Sequence, residues 1–168
     1  MEPRGLRLIV MRHAKSEGAQ TDAPDHGRPL TARGRRDAPV IARTLATRGW
    51  TPERVLSSDS TRTRETWQGM ADFLDPAPNV QFSRQLYHPS VADFEAIVIS
   101  EHGEARTLLT LAHNPGCEDV VQYLTDATVV MTTANAVLLR TDQEHWSDAM
   151  RPGRFSIVDV LRPRPPVS

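Results

Sequence analysis

The chain has 168 residues, 39% of them hydrophobic and 24% charged, with a formal net charge of −1 at pH 7. That length suits one domain able to bury a sizeable core, and that charge offers neither a basic field for nucleic acid nor an acidic solvating tail. The lone cysteine, Cys117, excludes an internal disulfide and a multi-cysteine metal site, and no apolar run approaches the ~20 residues of a membrane span.

The N-terminus lacks the apolar stretch of ~7–15 residues that a secretory signal carries, so a cytoplasmic protein is expected. Among the basic residues Lys15 is the only lysine, which a base-composition bias explains more cheaply than function does.

Leu6 to Met11 is a short aliphatic and β-branched run, typical of a strand buried on both faces. From Thr31 to Thr47 the period changes: Ala38, Ile41, Ala42 and Leu45 recur at three- and four-residue spacing, with Arg33, Arg35, Arg36 and Arg43 between them. That pattern predicts an amphipathic helix capped by Thr31, kinked or delayed at Pro39 and stopped at Gly49. Val55 to Ser57 reads as a second strand, and Ser60 to Leu74 as a helix whose stripe is Trp67, Met70, Ala71 and Leu74. Val80 to Phe82 is a short strand and Val91 to Ser100 a helix. "TLLTLA" at 107–112 is a clear strand, followed by a helix from Cys117 to Leu124. Ala136 to Arg140 and Phe155 to Leu161 are the last strands. The expected organisation is one domain over residues 1–162 and a proline-rich, disordered tail over 163–168. Strands alternating with helices predict a three-layer α/β/α sandwich with a mostly parallel central sheet.

In such sheets ligands gather at the carboxyl ends of the strands. Arg12 and His13 follow the first strand; Ser57, Ser58 and then Arg62 follow the second; His113 and Asn114 follow the third clear one. Two guanidinium forks and two imidazoles at one sheet edge make a cationic pocket suited to a phosphoryl dianion. Fixed cations stabilise the equatorial oxygens of a phosphoryl group in transfer. One neutral imidazole could attack phosphorus and become phosphorylated, while a protonated second one would hold the oxygens. The sequence has neither a Gly-rich phosphate loop nor a carboxylate cluster for Mg²⁺. A reaction without metal or cofactor therefore suits it.

"MRHAKSE" resembles the arginine-histidine signature of the histidine phosphatase superfamily. "DHGRPLTARGRRDA", "VLSSDSTRTRETW", "LLTLAHNPG" and "MTTANAVLLRTD" are similar, in that order, to segments of its small SixA-type branch of phosphohistidine phosphatases. The resemblance spans nearly the whole chain and implies a phosphoglycerate mutase-like fold. It implies His13 as the phosphorylated nucleophile, Arg12 and Arg62 on the phosphoryl oxygens, and His113 completing the pocket. Arg62 rather than Arg64 matches the family arginine, lying five residues after Ser57 and four before Thr66; Arg64 is expected to face solvent. Ser16 is placed either on phosphate or as a helix cap, and the role of Asn114 stays open.

Larger family members carry an acid that protonates the leaving oxygen. Here the corresponding stretch, "RQLYHPSVADFEAIV", is short, and Asp93 and Glu95 fall on a helix surface. Asp25 is the remaining acid candidate, or else a loop aspartate in a turn with Pro24 and Gly27. A phosphohistidine needs no enzyme acid, because its second ring nitrogen takes a proton from water and neutral imidazole departs. The expected activity is therefore a metal-independent phosphatase for a phosphorylated protein, such as a histidine phosphotransfer domain. A small phosphate ester is the alternative substrate, and a non-catalytic phosphate-binding module the third reading. His26, His88, His102 and His145 are expected as exposed side chains, with His88 closest to the pocket mouth. Trp50, Trp67, Trp146 and Cys117 are expected to pack.

Overall fold

The structure, a computed structural model, describes residues 4–19 and 22–163. The proline-rich tail expected from residue 163 thus lies, from residue 164 on, outside the described residues.

The elements in chain order are β1 (Leu6–Arg12), α1 (Ala32–Thr47), β2 (Arg54–Ser58), α2 (Thr61–Ala71), β3 (Asn79–Ser83) and α3 (Val91–Glu101). They continue with β4 (Thr107–Ala112), α4 (Gly116–Thr125), β5 (Ala136–Thr141), α5 (Trp146–Ala149) and β6 (Ser156–Leu161). All strands form one sheet in the order β3-β2-β4-β1-β5-β6. β3, β2, β4 and β1 are parallel neighbours, and β5 runs antiparallel to both β1 and β6.

Alternation along β1 explains the three layers. Leu8 and Val10 point into a core shared with Phe94, Ile97, Val120, Val121 and Leu124, from α3 and α4. Ile9 and Met11 point to the opposite face, into a core shared with Ile41, Leu45, Trp67 and Met70, from α1 and α2. A strand buried on both faces needs apolar residues at every position, which is why no period-2 polarity appears in it.

Each expected strand and helix is present, with ends shifted by a few residues. Thr31 caps α1, its Oγ1 accepting from Gly34 N at 3.1 Å. The expected late start at Pro39 is corrected: α1 begins at Ala32 and runs through Pro39 to Thr47. Proline inside a helix costs about 3 kcal/mol, offset here by the continuous buried stripe of Ala38, Ile41, Ala42 and Leu45. The three tryptophans are 3–7% exposed, as expected of packing residues. The sequence patterning missed α5 and two single 3-10 turns, Asp25–Gly27 and Arg84–Leu86. All are too short to show a period.

Candidate active site

Strand register builds the site. Arg12 pairs with Ala112 across β1 and β4, so the next residues, His13 and His113, emerge side by side with ring centroids 5.0 Å apart. On the other side of β4, Ser57 pairs with Leu111, which brings Ser58 level with the end of that strand. Ser58 Oγ lies 2.9 Å from His113 Nε2. Ser60 caps α2, and the first turn of α2 delivers Arg62. Thr66 ties that helix to the turn after β1, accepting from Ala14 N at 3.0 Å and donating to Arg62 O at 2.7 Å.

Arg12, His13, Arg62 and His113 line one pocket of about 330 Å³ at the carboxyl ends of the parallel strands. Its walls carry the cations Arg12, Lys15, Arg28 and Arg62 against two carboxylates, Glu17 and Asp25. A cavity of about 380 Å³ lies at the opposite end of the sheet, by Leu6, His102 and Trp146. It is larger but lacks the strand-end gathering of cations and imidazoles. Among the described residues no cluster of three or more His, Cys, Asp or Glu could hold a metal ion.

His13 is 7% exposed, and its Nδ1 lies 2.7 Å from Ala14 O. A ring nitrogen facing a carbonyl carries the proton, so Nε2 keeps its lone pair. Burial, followed by the charges of Arg62, Arg12 and Arg28, pushes the pKa of His13 down to about 3, against the Ala14 carbonyl, which raises it. Burial first, and then nearby positive charge including that of Arg62, pushes His113 down to about 2, so both imidazoles are neutral at pH 7. This corrects the expectation of a protonated second imidazole, and it makes desolvation the first cause for His13, ahead of the arginines.

The two buried imidazoles dictate an acid sensitivity. In the unfolded chain they take up protons near pH 6.5, which the native state refuses until about pH 3 for His13 and about pH 2 for His113. Stability therefore rises with pH through this window and is lost on acidification, by about 1.4 kcal/mol per pH unit per group. Urea unfolding is expected to show lower stability at about pH 5 than at about pH 7. Equal midpoints would mean that the rings are accessible and titrate normally.

Arg62 is 5% exposed. Its Nη1 donates to Asp25 O at 2.7 Å and its Nη2 to Asp25 Oδ2 at 3.3 Å. Arg64 instead lies on the exposed face of α2, with its Nε on Asp59 O at 2.9 Å and its guanidinium 4.1 Å from the Phe82 ring centroid. The pocket thus selects Arg62. Arg12 donates from Nη1 to Met131 O at 3.0 Å. Asn114 donates to the same carbonyl at 2.9 Å, while its buried Oδ1 has no hydrogen-bond partner among the described residues. Ser16 lines the pocket in a β-bridge with Leu30; the capping alternative falls, because Thr31 caps α1.

Asp25 opens a turn closed by Gly27 N on Pro24 O at 2.9 Å, and it also lines the pocket. Its carboxylate accepts from the Tyr87 hydroxyl, Arg28 and Arg62. Those partners, Tyr87 foremost, hold it well below the usual carboxylate range. A carboxylate so stabilised keeps no proton to give, so Asp25 suits anchoring Arg62 and Arg28 rather than acid catalysis.

Sequence reasoning missed Lys15, Arg28 and Tyr87. Arg28 stands in the segment "DHGRPLT", but a loop arginine has no periodicity to mark it as pocket-lining. Of the remaining histidines, His145 is exposed. His26 and His102 are half-buried, which corrects their expected exposure: His26 Nε2 lies 2.8 Å from Asp59 Oδ1, and His102 lies against Trp146. His88 is exposed and lines the pocket. Cys117 is fully buried, which pushes its thiol up to about 12 and leaves it inert.

A family model for the histidine phosphatase superfamily (branch 1) matches residues 8–148. An uncharacterized chloroplastic protein of Arabidopsis thaliana is 33% identical over 169 residues, which cover 94% of this chain and 78% of that protein. A solved structure provisionally named as the phosphohistidine phosphatase SixA of Nakamurella multipartitia is 26% identical, with a TM-score of 0.76, over 96% of this chain and 98% of that one. The fold is also that of a protein histidine phosphatase SixA complexed with tungstate, with a TM-score of 0.79 at 22% identity over 94% of this chain and 97% of that one.

Proposed function

The chain belongs to the histidine phosphatase superfamily and is a phosphatase, and from that premise we propose that it hydrolyses phosphohistidine on a phosphorylated protein, such as a histidine phosphotransfer domain. A cytoplasmic location is part of this proposal; no helix among the described residues is long and apolar enough to cross a membrane. The observation that carries the chemistry is the Nδ1 contact of His13 to Ala14 O at 2.7 Å, which leaves Nε2 as the lone-pair nitrogen in a cationic pocket.

In this reading His13 Nε2 attacks phosphorus as the bond to the substrate's ring nitrogen breaks. The electron pair stays on that nitrogen, and because the ring's other nitrogen has been protonated by water, neutral imidazole leaves. Water then attacks the phosphorylated His13, releasing inorganic phosphate and restoring the ring. Arg12 and Arg62 hold the equatorial oxygens, with His113 as a neutral donor beside them and Ser16 and Asn114 within the same pocket. A departing group that needs no carboxylic acid fits a site whose Asp25 is held ionised. The similarity to proteins named SixA supports the same substrate class.

Purified protein should be assayed on phosphohistidine peptides and a panel of small phosphate esters, with and without EDTA. The expected result is the highest kcat/KM on phosphohistidine and no effect of chelator, because four side-chain cations already supply the positive charge that a metal would. A small ester as clearly the best substrate, or strict Mg²⁺ dependence, would overturn the reading.

A further inference from the structure

Three ionisable side chains of the pocket make no hydrogen bond or ion pair among the described residues: Lys15, Glu17 and His88. A carboxyl ordinarily titrates well below neutrality and an ammonium well above it, whereas an imidazole can both hold and release a proton near pH 7. His88 is also in contact with solvent, from which it can be reprotonated.

The backbone of His88 is held in place, and its ring packs on that of Tyr87. Its ring centroid sits 4.0 Å from that of Tyr87, which is 8% exposed, donates its hydroxyl to Asp25 and meets the His113 ring edge-on at 5.4 Å. The next residue, Pro89, presses on the start of α4 at Gly116, where an added Cβ would fall 2.5 Å from Pro89 O and 2.8 Å from Pro89 Cγ. Only glycine permits that approach, so the chain carrying His88 lies tight against α4. The ring is thus presented 6.4 Å from His113, which in turn lies 5.0 Å from His13.

We propose that His88 is the general acid for oxygen leaving groups, giving this site a second activity toward phosphomonoesters whose departing oxygen needs a proton. The proposal rests on the phosphatase chemistry at His13 but not on phosphohistidine as the substrate. His13 Nε2 bonds to phosphorus while the P–O bond breaks, and its electron pair goes to the oxygen. That oxygen takes the proton of the His88 imidazolium and leaves as an alcohol or phenol. The water that cleaves phospho-His13 gives its proton back to His88 and leaves as inorganic phosphate, so both rings are restored.

The test compares wild type, His88→Gln and Glu17→Gln on p-nitrophenyl phosphate, phenyl phosphate, glycerol phosphate and a phosphohistidine peptide, with circular dichroism to verify folding. Nitrophenolate departs without a proton; phenol and glycerol need one. His88→Gln is expected to lose about 10²-fold in kcat on phenyl and glycerol phosphate, yet to stay within about threefold on p-nitrophenyl phosphate and the peptide. Equal losses on all four substrates, no loss on any, or the selective loss appearing in Glu17→Gln would overturn the assignment. So would a wild type inactive on both phenyl and glycerol phosphate. A wild type active on esters but not on the peptide would instead sink the phosphohistidine reading and leave His88 as the acid.

Discussion

His13→Ala is expected to abolish turnover and leave the fold standing. The backbone bonds at this position, His13 N to Ala112 O at 3.1 Å and Ala134 N to His13 O at 2.9 Å, do not involve the side chain and survive the change. The ring's removal also deletes a buried group that acid would protonate, so the variant should lose less stability on acidification than wild type. Without a nucleophile the two-step path is closed, and neither His113 nor Cys117 is placed to substitute. His113 is turned toward Ser58, with Nε2 at 2.9 Å, and the Cys117 thiol is buried and raised to about 12. A rate loss of about 10⁴-fold or more is the expected size for deleting a covalent nucleophile. In wild type, rapid quenching with substrate should trap acid-labile, base-stable phosphate on His13. Retention of more than about a tenth of the wild-type rate, a barrier change below ~1.4 kcal/mol, would remove His13 from the role.

Arg62→Ala is expected to lower kcat by about 10²–10³-fold, the usual loss when one fixed donor to the developing charge is removed. The placement of Arg62 explains why the loss should fall on kcat. Arg62 is 5% exposed and pinned by the backbone oxygen and carboxylate of Asp25, so its fork is oriented before substrate arrives. Arg62→Lys should restore little, because an ammonium is a point charge without the paired planar donors. Arg64→Ala is the matched control. That side chain lies over Phe82 on the outer face of α2, and kcat should stay within about twofold, as for an exposed position outside the site. Steady-state kinetics on a single substrate separates these outcomes. A full loss in Arg64→Ala with a mild one in Arg62→Ala would reverse the assignment.

The two arginines also show where sequence reading works and where it stops. Both stand in "STRTRE", and counting from Ser57 and Thr66 against the motif of the family that the chain resembles was enough to prefer Arg62. Local logic located every strand, the Thr31 cap and the four residues delivered by strand ends. It allowed a late start at Pro39, whereas the helix begins at Ala32 because distant packing outweighs a local penalty. It failed for the charge state of His113, which burial sets.

The sequence alone determined what local periodicity and residue chemistry can carry: an α/β order of elements, the buried character of β1 and β4, and arginine and histidine at the ends of strands. Only the tertiary structure decided which of those ends are neighbours. The order β3-β2-β4-β1-β5-β6 and the register of Arg12 with Ala112 bring His13 beside His113 across one hundred residues of chain. It also decided that Asp25 anchors two arginines, that Lys15 and Arg28 join the pocket, and that His88 faces it from a backbone held against Gly116. The physical reason is that ionisation, burial and ion pairing depend on distance in space. A chain's local pattern specifies its elements, whereas the energy of a charge depends on whatever the packed fold sets next to it.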